Sequence, residues 1–167
     1  NKMFTAVAVA QLVERGKLSY DDTLDKYLST DWLPQELAAK IKVSHLLSHT
    51  SGLGSYFNEK FDTSSRELYR SVNDYRPLVA DEKLQFEPGT NWSYSNTGFL
   101  LAGAVIERVT GESYFDFVRK NIFEPTGMTN TDSYEMDKVV PNLAIGYIKE
   151  VDATGKTVWT NNLYKHV

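Results

Sequence analysis

The sequence predicts a helix-dominated fold with one or two strands near its end. Two apolar stretches and one alternating stretch predict it. Met3, Phe4, Ala6 to Ala10, Leu12 and Val13 make a run that is apolar on nearly every side, the mark of a helix buried all round. Phe99, Leu100, Leu101, Ala104, Val105, Ile106 and Val109 mark a second strongly buried helix in TGFLLAGAVIERVTG. IGYIKEVDATGKTVW alternates around a Gly155 turn and is the one convincing hairpin.

Each element has a start and a stop. Asn1 is a candidate cap for the first helix, and Gly16 stands where a left-handed residue ends it. KLSYDDTLDKYLSTDWLP is polar and turn-rich, anchored by Leu18, Leu24, Tyr27, Leu28 and Trp32. Pro34 suits the first position of a short helix, PQELAAK. A further short helix is expected over Val43 to Leu47, closed by the Ser51-Gly52 turn. Residues 54 to 83 read as irregular or weakly helical, with SSRELYRSV the best helical candidate. Pro88-Gly89 favours a tight turn. Gly111 stops the second long helix, in which Gly98 and Gly103 leave room for another backbone. Ser113 with Asp116 opens SYFDFVRKNIFEP as a variant capping box.

Composition narrows the function. A chain of 167 residues has length for one ordinary domain. Its net charge of −4 lacks the clustered Lys and Arg on which nucleic-acid binding rests. It has no cysteine, which excludes disulfides, thiolate nucleophiles and Cys-based zinc sites. No apolar run reaches transmembrane length, and residues 3 to 13 lack the flanks of a signal peptide.

Candidate chemistry lies in SYSN. Alone, Tyr94-x-Asn96 is a weak signal: Asn96 could simply cap the helix beginning near Thr97, and Tyr94 could pack on a neighbour. It is not alone. Lys2 at the head of a buried helix, HLLSHTSGL, FEPGTNWSYSNTGFLLAGAVIERVTG and the FEPTGM turn follow in order. Together they resemble the serine β-lactamase and penicillin-binding superfamily, on the class C-like branch with its D-alanyl-D-alanine carboxypeptidases and esterases.

The resemblance covers essentially the whole chain. It implies a mixed α/β fold of the β-lactamase/transpeptidase type, of which residues 1–167 form a single incomplete domain, mostly its helical region. It implies a nucleophile in Ser-x-x-Lys. With Lys2 as that lysine, the serine falls two residues before Asn1, and a late Lys- or His-x-Gly strand falls beyond Val167. The chain is thus expected to be an internal piece of a larger hydrolase, inactive by itself.

In that frame Lys2 and Tyr94 are catalytic and Asn96 binds substrate. A serine hydroxyl is a poor nucleophile until a base takes its proton. Lys2, one helical turn from that serine, lies on the same face. Burial and the positive helix terminus both disfavour an ammonium there. Tyr94 relays the proton to the leaving group, Asn96 bonds the lysine and the substrate amide, and backbone N–H groups form the oxyanion hole.

The implied reaction is acyl-enzyme hydrolysis of a β-lactam, a D-Ala-D-Ala peptide or an ester. It needs no cofactor and no metal, and is expected in the periplasm or outside the cell. A catalytically inactive binding module of the same fold is the alternative. His45 and His49, spaced i, i+4, could suggest a metal pair. HLLSH has no intervening Glu and no evident third ligand; the resemblance instead implies that this loop braces the active site, with His49 hydrogen-bonding locally. Asp21 with Asp22, and Glu112 with Asp116, read as solvated faces and caps. With little of the family's sheet present, the chain is expected to expose apolar surface and to pack on further segments or self-associate.

Overall fold

The computed structural model of the chain describes residues 1–135 and 137–161. Helix α1 spans Lys2–Glu14. The Asn1 side chain makes no capping bond; its carbonyl instead accepts the Phe4 and Thr5 N–H groups at 2.9 and 3.2 Å. At the far end Gly16 lies at φ +65°, its N–H bonds the Val13 carbonyl and the Lys17 N–H bonds that of Leu12, both at 2.9 Å. Those two bonds are a Schellman closure, which satisfies carbonyls the helix leaves open.

Helix α1 buries one face and leaves the other bare. Thr5, Ala8, Val9 and Leu12 are buried, whereas Met3 is 67% exposed and Val7 40%. Burial all round was the expectation. Among the described residues the long partners of α1 lie on one side only, so the stripe through Met3 and Val7 meets solvent.

Short elements follow. A 3-10 turn at Leu24–Lys26 leads to α2 (Gln35–Ala38), which starts one residue later than expected because Pro34 occupies the cap position. Helix α3 (Val43–Leu47) falls where the sequence places it. Residues 54–83 break into α4 (Glu59–Thr63), 3-10 turns at Arg66–Leu68 and Val72–Tyr75, and α5 (Arg76–Val79). SSRELYRSV yields only turns. What holds this region is aromatic contact: Tyr56, Phe61, Tyr69 and Tyr75 form a cluster with ring centroids 4.8 to 6.5 Å apart, a packing that needs no long helix.

Helix α6 (Asn96–Thr110) is the second long helix and packs on α1 and α3. Gly111 ends it at φ +72°. At Gly98 a Cβ would stand 3.2 Å from Ser95 Oγ, tighter than an ordinary contact, and at an ordinary 3.5 Å from the Leu46 carbonyl of α3, so the glycine makes room for the capping hydroxyl. Gly103 has ordinary spacing, 3.7 Å to its neighbours, and is not required for close approach.

Ser113 caps α7 (Tyr114–Val118), accepting the Asp116 N–H at 3.1 Å. The helix then widens into a π-helical turn, Arg119–Phe123. Ile122 and Phe123 are buried there, and Phe123 meets Phe4 edge-on with centroids 5.0 Å apart. Strands β1 (Tyr147–Val151) and β2 (Thr157–Asn161) pair antiparallel, Lys149 opposite Trp159, around Gly155 at φ +83°. Tyr147, Val151 and Trp159 share one exposed face.

Candidate active site

The site is built where α6 begins. Ser95 is fully buried and caps the helix, its Oγ accepting the Gly98 N–H at 2.8 Å and donating to the Gly54 carbonyl at 2.9 Å. Asn96 therefore does not cap. With Ser95 filling that role, both ends of the Asn96 amide turn to other partners. Its Oδ1 accepts from Lys2 Nζ at 3.0 Å, and its Nδ2 donates to Ser55 Oγ at 3.1 Å.

Lys2 sits in the first turn of α1, half-buried, with Nζ 4.9 Å from the centre of the Tyr94 ring and 5.4 Å from that of Phe99. Tyr94 is 54% exposed, so the wall that meets Lys2 also opens to solvent. Lys2, Tyr94 and Asn96 thus converge across more than ninety positions of sequence.

His49 backs the group. It holds a left-handed backbone, φ +60°, uncommon for a residue with a side chain. Its Nδ1 accepts the Ser95 N–H at 3.0 Å, and its carbonyl accepts the Ser93 N–H at 3.0 Å. The ring lies 4.7 Å from Tyr94 and 5.2 Å from Phe99, tilted against both, and 6.1 Å from Trp92, edge-on. Burial first, and then the charge of Lys2, push the imidazole below its ordinary value. His45 is engaged elsewhere: Nδ1 accepts the Lys42 N–H at 3.2 Å, and Gly89 stands against Nε2. Burial, then Lys42, push it down as well. His45 and His49 thus each spend their Nδ1 on a main-chain N–H. No group of three or more His, Cys, Asp or Glu able to hold a metal ion occurs among the described residues.

The segment from His49 to Gly54 is laced to residues 85–97. Thr50 O accepts Gly89 N–H, and Gly52 O accepts Gln85 N–H, each at 2.8 Å. Gly54 donates its N–H to the Glu82 carboxylate. Burial pushes that carboxyl up, against the lowering effect of the Thr97 hydroxyl and the Gly54 amide. Gly52 is obligatory at φ +77°, since a Cβ would meet the Phe86 carbonyl oxygen at 2.3 Å.

The carboxylates that stand close together in sequence meet basic or capping partners instead of one another. Asp21 pairs with Lys42 at 2.9 Å, Asp22 with Lys26 at 2.8 Å, and Glu112 with Lys120 at 2.8 Å. Asp116 bonds Ser113 and Arg119. A cleft bordered by Lys26, Trp32, Arg76, Glu107 and Arg108 contains none of the convergent residues. Ser55, Phe99 and the stacking role of His49 had no signal in the sequence, because each depends on which loop the fold brings to α6.

Comparison with known proteins follows the same lines. The family described as Beta-lactamase matches residues 1–165. Penicillin-binding protein 4* of Bacillus subtilis is 35% identical over 156 residues, 90% of this chain and 34% of that protein. Lovastatin esterase of Penicillium rubens is 33% identical over 82% of this chain and 39% of that protein. Among solved structures, a penicillin binding protein from Bacillus halodurans superposes with a TM-score of 0.82 at 36% identity, over 98% of this chain and 48% of that one. A D-stereospecific amidohydrolase from Streptomyces sp. matches with a TM-score of 0.75 at 28% identity, over 95% of this chain and 49% of that one. The chain spans between a third and a half of the length of these relatives.

Proposed function

Since the chain belongs to the β-lactamase family, we propose that it is part of a serine acyl hydrolase in which Lys2, Tyr94 and Asn96 serve the reacting centre. The observation that carries this reading is the convergence at the mouth of α1: Lys2 Nζ, 3.0 Å from Asn96 Oδ1 and beside the Tyr94 ring.

In this reading the serine stands three positions before Lys2, ahead of the residues described. Its oxygen attacks the substrate carbonyl carbon as its proton passes to Lys2 or Tyr94. The tetrahedral oxyanion is held by backbone N–H groups. Tyr94 returns the proton to the leaving amine or alcohol as the C–N or C–O bond breaks, and water then releases the acyl group. Asn96 fixes the lysine and offers its amide N–H to the substrate. The substrate class is a β-lactam, a D-Ala-D-Ala peptide or an ester, met outside the cytoplasm. The isolated 167 residues, without the serine, are inactive.

Intact mass before and after incubation with a labelled penicillin tests this. The whole protein gains one penicillin, whereas the 19.0 kDa chain gains none. Lys2→Ala and Tyr94→Phe slow the labelling of the whole protein by about a hundredfold or more, the usual range for losing a proton carrier. Labelling of the whole protein that is indifferent to both substitutions would sink the assignment.

A further inference from the structure

We propose that His49 is a positioning residue that holds Tyr94 in line with Lys2, clamping the chain on either side of it and laying a ring against its face. The inference rests on the reading of Tyr94 as the proton carrier, and it concerns what keeps that ring in place.

The clamp is visible in two bonds. Ser93 donates its N–H to the His49 carbonyl and Ser95 donates its own to His49 Nδ1, both at 3.0 Å. Tyr94 lies between those anchors, its ring tilted 33° from the imidazole at 4.7 Å. Tyr94 is more than half exposed, so packing alone holds it weakly. The left-handed backbone of His49 is strain that persists only where the surroundings enforce it. Here it turns one residue so that carbonyl and ring both reach the same three-residue stretch.

The clamp works only with a neutral imidazole. Nδ1 must present a lone pair to the Ser95 N–H, which leaves the proton on Nε2. Protonation puts N–H on both nitrogens, turns the acceptor into a donor against Ser95, and brings a cation beside Lys2. The charged or titratable groups facing the ring are Lys2 from α1 and Tyr94 from the loop; Trp92 and Phe99 complete its surroundings. The lowered basicity of His49 keeps the clamp closed at neutral pH. Acid opens it.

Two substitutions in the intact protein separate this from plain packing. His49→Asn keeps an acceptor at the place of Nδ1 and tolerates the left-handed backbone, but loses the ring and the titration. His49→Phe keeps a ring and loses the acceptor. Penicillin labelling rates are measured from pH 5 to 8, alongside the 13C resonances of ring-labelled Tyr94. In the parent, labelling falls and the Tyr94 resonance moves together through one midpoint below 6.5. His49→Asn labels within about tenfold of the parent at neutral pH and has lost both pH responses, while His49→Phe labels about a hundredfold more slowly.

A His49→Phe variant as fast as the parent, or an acid limb that persists in His49→Asn, overturns the proposal. Should His49→Phe fail to fold, His49→Asn and the parent resonance still decide it. Should the parent take no penicillin, the hydrolase reading fails. The resonance then decides the clamp alone: movement with the histidine titration upholds it, and a flat response refutes it.

Discussion

At α6 the cap falls on Ser95, and both ends of the Asn96 amide are thereby left for Lys2 and Ser55. The two neighbours should respond oppositely to substitution. Ser95→Ala removes the cap and one of two donors to the Gly54 carbonyl, the other being the Thr97 N–H, and should lower stability by about 2 kcal/mol in urea titration. Asn96→Ala leaves the cap intact, so the melting temperature should hardly move. Its penicillin labelling should fall by roughly ten- to a hundredfold, the loss of a hydrogen bond to a charged group.

Asp22 gives a pH test away from the site. Its carboxyl is pulled down from 3.8 to about 2, first by the Lys26 ammonium and then by the Tyr27 hydroxyl. The folded value lies below the unfolded one, so this stabilisation is full above about 4 and is lost as pH falls through 2. Asp22→Asn should therefore weaken the protein against urea at pH 6 and leave it unchanged near pH 1.5.

Among the elements, the loop from His49 to Gly54 does most to place the site, since it anchors the turn before α6 through four carbonyl groups and one imidazole. Gly52 is its least replaceable member. Gly52→Ala adds a left-handed alanine, about 1–2 kcal/mol, to a Cβ 2.3 Å from the Phe86 oxygen. The expected result is a loss above 2 kcal/mol in thermal unfolding, with penicillin labelling lost in parallel as Tyr94 shifts.

Elements with a strong local signal were legible beforehand. Helices α3 and α6 and the Gly155 turn follow from periodicity and stop residues, which act within a few positions. Residues 54–83 read as irregular or weakly helical and do break into short pieces, but which pieces are helical was not legible, because Tyr56, Phe61, Tyr69 and Tyr75 set their form at spacings that follow no single period. The site was half legible. Lys2, Tyr94 and Asn96 stood out by family resemblance, whereas the cap at Ser95 and the stacked His49 emerge only once the loop and α6 are adjacent. The π-helical turn after α7 shows in the sequence only as a spacing of five, from Phe117 and Val118 to Ile122 and Phe123, where an α-helix repeats at three or four.

Across the whole molecule the apolar surface is unevenly covered. The buried core runs through α1, α3, α6 and α7. Met3, Val7, Val139, Ile145, Tyr147, Val151 and Trp159 are all at least 40% exposed. The 167-residue chain by itself should bind a hydrophobic dye and show an apparent mass in light scattering that rises with concentration; a dye-silent monomer at high concentration would contradict this.

The hairpin sets a second regime of time. Each strand of β1–β2 has one hydrogen-bonded neighbour among the described residues, while the α6 amides lie within the buried core. Deuterium should therefore enter the molecule in two waves. The amides of residues 147–161 should fill within seconds through local opening, while those from Leu101 to Ile106 wait for unfolding of the whole. A partner that covers the Tyr147–Trp159 face would be detected first as a slowing of the early wave.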